Sequence, residues 1–143
     1  MTRAELVLSK AARVRRRLTR LRTALAPGRP AFVADEALVE QAAFNLYLAM
    51  QESVDLGSHI VADEGYGTPE TLGEVFDLLG ARAVITATTA QAMRRGTKLR
   101  NLIAHAYGDV DPGLLFQAAS AGIAEIEQFL IEVADWMASR SGG

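Results

Sequence analysis

Cysteine is absent from this chain of 143 residues, and only two residues are histidine. Without a thiol the protein has no disulfide, zinc–thiolate site, iron–sulfur cluster or cysteine nucleophile. No uninterrupted apolar run approaches the roughly 18–20 residues that span a bilayer. The charged start at Met1–Glu5 does not resemble a secretory signal. We therefore expect a cytoplasmic protein without a membrane segment.

Charge is unevenly distributed along the chain. Residues 1–30, a basic first helix and linker, carry nine of the fifteen basic residues and a single acid, a net charge of +8. The remaining residues carry a net charge of −10. Such a basic segment can attract nucleic acid or an acidic partner, or it can pair with the acidic body of its own fold or of a second protomer.

Apolar residues recur in steps of three and four, which is the spacing of amphipathic helices. Half of the residues are hydrophobic, so a single domain over 1–143 can bury its own core. A first helix ends at Pro27–Pro30, and a second runs from Asp35, its N-cap, to about Ala62. No segment alternates with the period of a strand. We predict an all-α fold, an antiparallel bundle of four long helices and one short helix, with a flexible tail at 139–143.

The other helix boundaries follow from caps and breakers. Thr68–Pro69 predicts the start of the short third helix, and Gly80 predicts its end. A fourth helix begins near Arg82, and Gly96 predicts a kink or break within it. Asp111–Pro112 opens the last helix.

The segment from Arg100 to Tyr107 holds the most informative pattern. A guanidinium keeps its charge and can bind a phosphate, while an imidazole titrates near neutrality and can move protons. On a regular helix Arg100 and His105 lie about 140° apart. Either the long arginine side chain reaches around the helix, or the helix ends near His105 and frees the imidazole. Gly108 favours the second alternative.

Other polar residues near this segment are weaker candidates. Asn101 lies one turn before the histidine and can orient the imidazole or bind a phosphate. A basic cluster can follow an RNA backbone towards the segment, or can be a solvated helix end; its members are Arg94, Arg95 and Lys98. His59 is expected to cap a helix or lie on the surface. No histidine accompanies the carboxylate clusters at ligand spacing, so we expect no metal site.

An arginine, four residues, a histidine, one residue and a tyrosine, in this helical frame, resemble the signature of the HepT-like family of HEPN-domain toxins. The resemblance covers most of the chain beyond about residue 35. It implies an HEPN-like homodimer that cleaves RNA without metal or cofactor. Arg100 and His105 would be catalytic, with Asn101 in support.

In such a cleavage the 2′-hydroxyl attacks the adjacent phosphorus, which requires a base, an acid and a cation. His105 can move one proton, and Arg100 can stabilise the charge of the phosphorane. One histidine at this position leaves the second proton transfer open. A symmetric dimer would supply a second His105.

The resemblance also implies a partner. In the family the toxin is typically encoded with an MNT-type nucleotidyltransferase antitoxin, which in some systems transfers AMP to the tyrosine two residues after the histidine. Tyr107 holds this position, and an AMP group would place bulk and negative charge beside the site. The arginine-dense first helix departs from the family's pattern and leaves the RNA target and the partner surface open.

Non-catalytic interpretations remain open from the residues themselves. The chain can be a helical subunit that binds a nucleotidyltransferase or presents its substrate. It can also be an adaptor whose basic first helix docks on an acidic protein. An arginine and a histidine near a helix end can simply satisfy free carbonyls, and Tyr107 can be an aromatic residue at the edge of the core.

Overall fold

The structure is a computed structural model that describes residues 2–141, without the side chains of Tyr107 and Ser141. Within that range the chain forms helices and no strand, which confirms the all-α bundle. The helices are α1 (Arg3–Leu25), α2 (Arg29–Val33), α3 (Glu36–Glu64), α4 (Leu72–Ala81), α5 (Ala87–Ala106) and α6 (Pro112–Ser141). A 3-10 turn over Tyr107–Asp109 joins α5 to α6. Four helices are long, as predicted, and α2 is an additional single turn.

Helix α3 lies at the centre of the bundle and contacts all five other helices. Asp35 caps its start, where the carboxylate accepts hydrogen bonds from the backbone N–H groups of Ala37 and Leu38 at 3.0 and 3.3 Å. Gly65 ends it in a left-handed conformation, φ 68°, which glycine adopts without a Cβ clash. The predicted bounds of this helix are therefore confirmed to within two residues.

The predicted apolar stripes form the core. Phe76 of α4 packs edge to face on Phe129 of α6, with 5.4 Å between ring centroids, and so ties the short helix to the long ones. The buried residues that the stripes predicted are Val7, Ala11, Val14, Leu18 and Leu21 in α1, Ala42, Leu46, Ala49, Leu56 and Ile60 in α3, and Leu115, Ala119, Ile126, Phe129 and Val133 in α6.

The predicted start of the short helix is wrong. Thr71, and not Thr68, caps α4, because its hydroxyl accepts the backbone N–H of Glu74 at 3.2 Å. The Glu74 carboxylate in turn accepts the N–H of Glu70 at 2.6 Å, which holds the preceding residues outside the helix. The end predicted at Gly80 is confirmed to within one residue, since the helix continues to Ala81.

Helix α5 starts later than predicted and has no break. Its first turn is capped by Thr86, whose hydroxyl accepts the N–H of Thr89 at 3.2 Å. Gly96 lies inside a continuous helix. A Cβ at this position would lie 2.6 Å from the Met50 sulfur of α3, so this glycine permits close helix packing instead of a kink.

By length and mean hydropathy alone, Pro112–Arg140 of α6 is long and apolar enough to cross a bilayer. The sequence analysis, which looked for an uninterrupted apolar run, did not single out this segment. Its inward face belongs to the bundle core, but only 28% of its most apolar window is buried. The other residues of this window are partly or fully exposed to solvent.

Candidate functional site

The last turns of α5 hold the motif against α3. The helix stays regular through Ala106, one residue beyond His105. The contact between Gly96 and Met50 fixes the distance between the two helices one turn before Arg100. The arginine side chain therefore extends onto the surface of α3 in a defined register.

The Arg100 guanidinium is held by a cage of polar side chains. Its Nη2 donates to the Tyr47 hydroxyl and to Gln51 Oε1, each at 2.8 Å, and its Nε donates to the same Gln51 oxygen at 3.1 Å. The Nη1 atom donates to Asn101 Oδ1 at 3.1 Å. The guanidinium carbon also lies 4.6 Å from the centroid of the Tyr47 ring, a cation–π distance.

Every acceptor in this cage is electrically neutral. No carboxylate of a described residue pairs with Arg100. Six other arginines do form ion pairs with aspartate or glutamate, namely Arg3, Arg17, Arg22, Arg94, Arg95 and Arg140. The side chain is half-buried and oriented, and its positive charge stays uncompensated. Such a group is suited to bind an anionic oxygen, because the guanidinium is already ordered in the free protein and loses little conformational freedom on binding.

His105 lies in the last turn of α5 and is exposed. No hydrogen bond joins its ring to another residue that the structure describes. The sequence analysis left open whether Asn101 orients this imidazole or binds a phosphate. The structure places the Asn101 oxygen on Arg100 instead.

The two principal motif residues do not converge within one chain. Because His105 keeps helical geometry, it projects about 140° away from Arg100 around the axis of α5. The helix does end near the histidine, as expected, but Gly108 does not end it; the change to a 3-10 turn begins at Tyr107. The side chain of Tyr107, the predicted acceptor of AMP, lies outside the described residues.

The predicted basic cluster is largely engaged in the fold. Arg94 forms an ion pair with Asp77 of α4. Arg95 reaches Glu125 of α6 at 3.4 Å. Lys98 is exposed and has no ion pair with any residue in the described range. Of the three candidates, this lysine is the one whose charge is free to meet a phosphate.

A groove of about 640 Å³ opens between the end of α5 and the start of α6, beside the motif. Its walls are mostly apolar. Leu102 and Leu114, which line it, are 53% and 66% exposed. Two exposed leucines at the edge of one groove form an apolar surface that a second molecule can cover.

The sequence analysis did not find Tyr47 and Gln51, although they make most of the contacts to Arg100. They lie one turn apart on α3, about fifty positions before the motif. A tyrosine and a glutamine on the polar side of an amphipathic helix give no periodic signal of a site. Among the described residues, no group of three or more histidine, aspartate or glutamate side chains could hold a metal ion.

Residues 14–133 match the model of the HepT-like family, which is described as ribonuclease HepT-like. The mRNA nuclease HepT of Shewanella oneidensis is 22% identical over 126 residues, covering 88% of this chain and 94% of that protein. The tRNA nuclease HepT of Aphanizomenon flos-aquae is 27% identical over 92 residues, covering 64% of this chain and 63% of that protein.

Solved structures share the fold. A toxin–antitoxin structure with AMP-PNP superposes with a TM-score of 0.85 at 21% identity, covering 92% of this chain and 98% of the other. A tri-AMPylated Shewanella oneidensis HEPN toxin in complex with an MNT antitoxin superposes with a TM-score of 0.84, also at 21% identity, covering 94% and 99%. These similarities establish an HEPN-like fold for the bundle.

Proposed function

Because this chain belongs to the HepT-like family of ribonucleases, we propose that it is an RNA-cleaving toxin restrained by an MNT-type nucleotidyltransferase antitoxin. The nuclease names of its relatives and the antitoxin in the similar complex support this proposal. The observation that carries it is the uncompensated Arg100 guanidinium, held in place five residues before an exposed His105. An RNA substrate is consistent with a cytoplasmic location.

The proposed chemistry requires no metal. Arg100 binds a non-bridging oxygen of the scissile phosphate, and its charge stabilises the phosphorane. The 2′-oxygen loses its proton and bonds to phosphorus, and the bond from phosphorus to the 5′-oxygen breaks. The products are a 2′,3′-cyclic phosphate and a 5′-hydroxyl, whose proton comes from an acid. His105 serves as base or acid in this sequence.

A homodimer completes the site in this proposal. Within one chain Arg100 and His105 point in different directions, and a single imidazole at the motif provides one of the two proton transfers. A two-fold axis beside the α5–α6 groove brings a second motif into the same cleft. The exposed Leu102 and Leu114 support burial of this region against an identical surface.

Tyr107 is the proposed point of control. It is the first residue after α5, two residues beyond His105, and an AMP group on its hydroxyl adds a negative phosphate and a nucleoside to the motif. Co-expression with an MNT-type nucleotidyltransferase is expected to add the mass of one or more AMP units, which peptide mapping assigns to Tyr107. A Tyr107→Phe chain that gains the same mass would contradict this assignment.

The function is tested by toxicity in a bacterial host. Wild-type chain is expected to arrest growth, and Arg100→Ala or His105→Ala is expected to abolish the arrest, because each removes a group that the chemistry needs. The melting temperatures of both variants should lie within a few degrees of the wild-type value, since His105 is exposed and Arg100 is half-buried.

Matched controls are available in the same chain. Arg82→Ala and His59→Ala remove the same side chains away from the motif and should leave the arrest intact. A folded Arg100→Ala/His105→Ala double variant that still arrests growth would contradict the proposed function. Retained binding of the nucleotidyltransferase by the inactive variants would separate catalysis from the non-catalytic subunit interpretation.

A further inference from the structure

We propose that the outward face of α1 binds the phosphodiester backbone of RNA and leads the strand across α3 to Arg100; this inference rests on the proposed function. The basic face is defined by four residues of α1: Lys10, Arg13, Arg16 and Arg20. On a regular helix they lie within an arc of about 120°.

The basic face consists of cations that the fold does not use. Three other arginines of α1 pair with acidic side chains: Arg3 with Asp63 and Glu64, Arg17 with Glu52, and Arg22 with Glu127. The four residues of the basic face form no ion pair with any residue in the described part of the chain. Folding alone therefore does not account for them.

Acidic neighbours do not neutralise the basic face. Glu5 is the one acid in the α1 sequence, and its carboxylate accepts the backbone N–H of Thr2 at 2.8 Å in a capping box. On the adjacent surface of α3, Glu52 pairs with Arg17 at 3.5 Å. Asp55 accepts a hydrogen bond at 3.4 Å from Gln51, whose amide is neutral, so Asp55 keeps its negative charge on this surface. The four cations of the basic face outnumber this carboxylate and leave a net positive potential along three turns of α1.

The basic face borders the surface strip that contains Arg100. Arg17 reaches Glu52 from α1, while Arg100 reaches the preceding residue, Gln51, from α5 at 2.8 Å. Consecutive helical residues project about 100° apart. The two arginines therefore approach the same turn of α3 from either side of its outward surface. The outward surface of α3 between them is about one helix diameter wide, roughly 10–12 Å. A nucleic acid strand of a few nucleotides spans this distance.

An exposed aromatic side chain lies on this strip. Phe44 is 51% exposed, and it stands one turn before Tyr47 and Leu48 on the outward side of α3. Bases stack on exposed aromatic rings, while phosphates pair with cations beside them. An aromatic ring between two sets of cations favours RNA over an acidic protein surface, since carboxylates use the cations alone.

The test measures binding of a probe that cannot be cleaved. The probe is a fluorescent, mixed-sequence, single-stranded RNA of about 20 nucleotides with 2′-O-methyl riboses. This length exceeds the roughly 4–16 nucleotides that a single-strand-binding OB-fold covers. Anisotropy titrations between about 50 and 200 mM salt give the affinity and its salt dependence. Arg13→Gln/Arg20→Gln is expected to lower the slope of log K against log salt by about 1.4, at about 0.7 per phosphate contact. At the lowest salt, binding should weaken at least about fivefold.

The matched control has the same change in net charge. Arg82→Gln/Arg140→Gln removes two arginines at the far end of α3, where they stack on Tyr66 and Trp136 and where Arg140 also pairs with Glu64 at 2.9 Å. This end lies about 20 Å along the helix from Gln51. The control should keep the wild-type slope. Phe44→Ser should weaken binding at every salt concentration without changing the slope, because a stacked base releases no counterion.

The outcomes separate this inference from the proposed function. If the wild type cleaves RNA and Arg13→Gln/Arg20→Gln binds the probe with an unchanged slope, the basic face is not an RNA site. The same conclusion follows if this variant loses the nucleotidyltransferase and keeps the probe, because the face then docks an acidic protein. If no chain cleaves RNA but the slope falls as expected, the basic face binds RNA and the proposed catalysis is wrong.

Discussion

The Arg100 side chain shows how a cation can be fixed without being neutralised. Tyr47, Gln51 and Asn101 supply uncharged oxygens that occupy four of its five N–H groups and orient the guanidinium, which leaves one N–H on Nη1 to donate to a phosphate oxygen. An aspartate or glutamate in the same place would hold it more strongly and would compete with a phosphate. A neutral cage therefore agrees with a group whose counter-ion is the substrate.

The difference between a neutral acceptor and a carboxylate beside Arg100 predicts the effect of one substitution. Gln51→Glu places a carboxylate against Arg100, and RNA cleavage should fall about tenfold or more, since a new ion pair must be broken to bind phosphate. The melting temperature should stay equal or rise. Gln91→Glu, an exposed glutamine of α5, makes the same chemical change and should leave cleavage unaltered. Full activity in the Gln51→Glu chain would contradict the role of the neutral cage.

Single residues could be predicted from the sequence where their chemistry is rare. Arg100 and His105 stand out because the chain has only two histidines. Arg94 and Arg95 could not be distinguished from Lys98, because their acidic partners lie on other helices. Tyr47 and Gln51 were missed for the same reason: a hydrogen bond between distant helices leaves no local pattern.

Among the helices, α5 is positioned at its middle and at its start. At the midpoint of the helix, Gly96 admits Met50 of α3. At its start, Glu132 of α6 accepts the backbone N–H of Thr86 at 2.6 Å and the hydroxyl of Thr89 at 2.5 Å. Burial alone raises the pKa of Glu132, but these hydrogen bonds outweigh it and hold the pKa below its usual range.

The lowered pKa predicts a pH dependence of stability. A carboxyl group with a lower pKa in the folded state stabilises the protein above its unfolded pKa, and this contribution is lost as the pH falls through the folded value. At pH 7, Glu132→Gln should lower the free energy of unfolding by about 1–2 kcal/mol, at the lower end of the values for hydrogen bonds to a charged group, because the carboxylate is partly exposed. The difference between variant and wild type should shrink as the pH falls below about 4.

Chemical unfolding across this pH range measures the difference. Asp135→Asn on the same helix is the control, because Asp135 is exposed and forms no ion pair with a described residue. Its effect should be small. If the difference in free energy of unfolding between Glu132→Gln and the wild type stays constant from pH 7 to pH 3, the carboxylate charge does not hold the start of α5.

Helix bounds were predictable where a cap and a breaker coincide. Asp35 marks the start of α3, and Asp111 before Pro112 marks the start of α6; the structure confirms both. Thr68 with Pro69 carried the same kind of signal, but α4 starts later, because Thr71 accepts the Glu74 N–H while Glu74 accepts the N–H of Glu70. A glycine within a helix could not be interpreted without knowing which side chain packs against it.

At the scale of the whole molecule, charge and apolar surface divide between faces. The basic face of α1 and Arg100 border the outward strip of α3, and the apolar groove with Leu102 and Leu114 lies on the other flank of α5. The bundle topology was predictable from periodicity. The pairing of charges across it was not, because ion pairs such as Arg22 with Glu127 join residues over a hundred positions apart.

The central proposal is that Arg100 and His105 together cleave RNA. The most direct measurement is cleavage of RNA by the purified chain in the presence of EDTA, with mass analysis of the 3′ ends. The wild type should leave 2′,3′-cyclic phosphates, and Arg100→Ala and His105→Ala should each lose at least about a hundredfold in rate, as expected when a general acid–base group is removed. A mixture of the two inactive chains should regain part of the activity if two motifs share a cleft. Wild-type cleavage by the His105→Ala chain, or cleavage that stops in EDTA, would contradict the account.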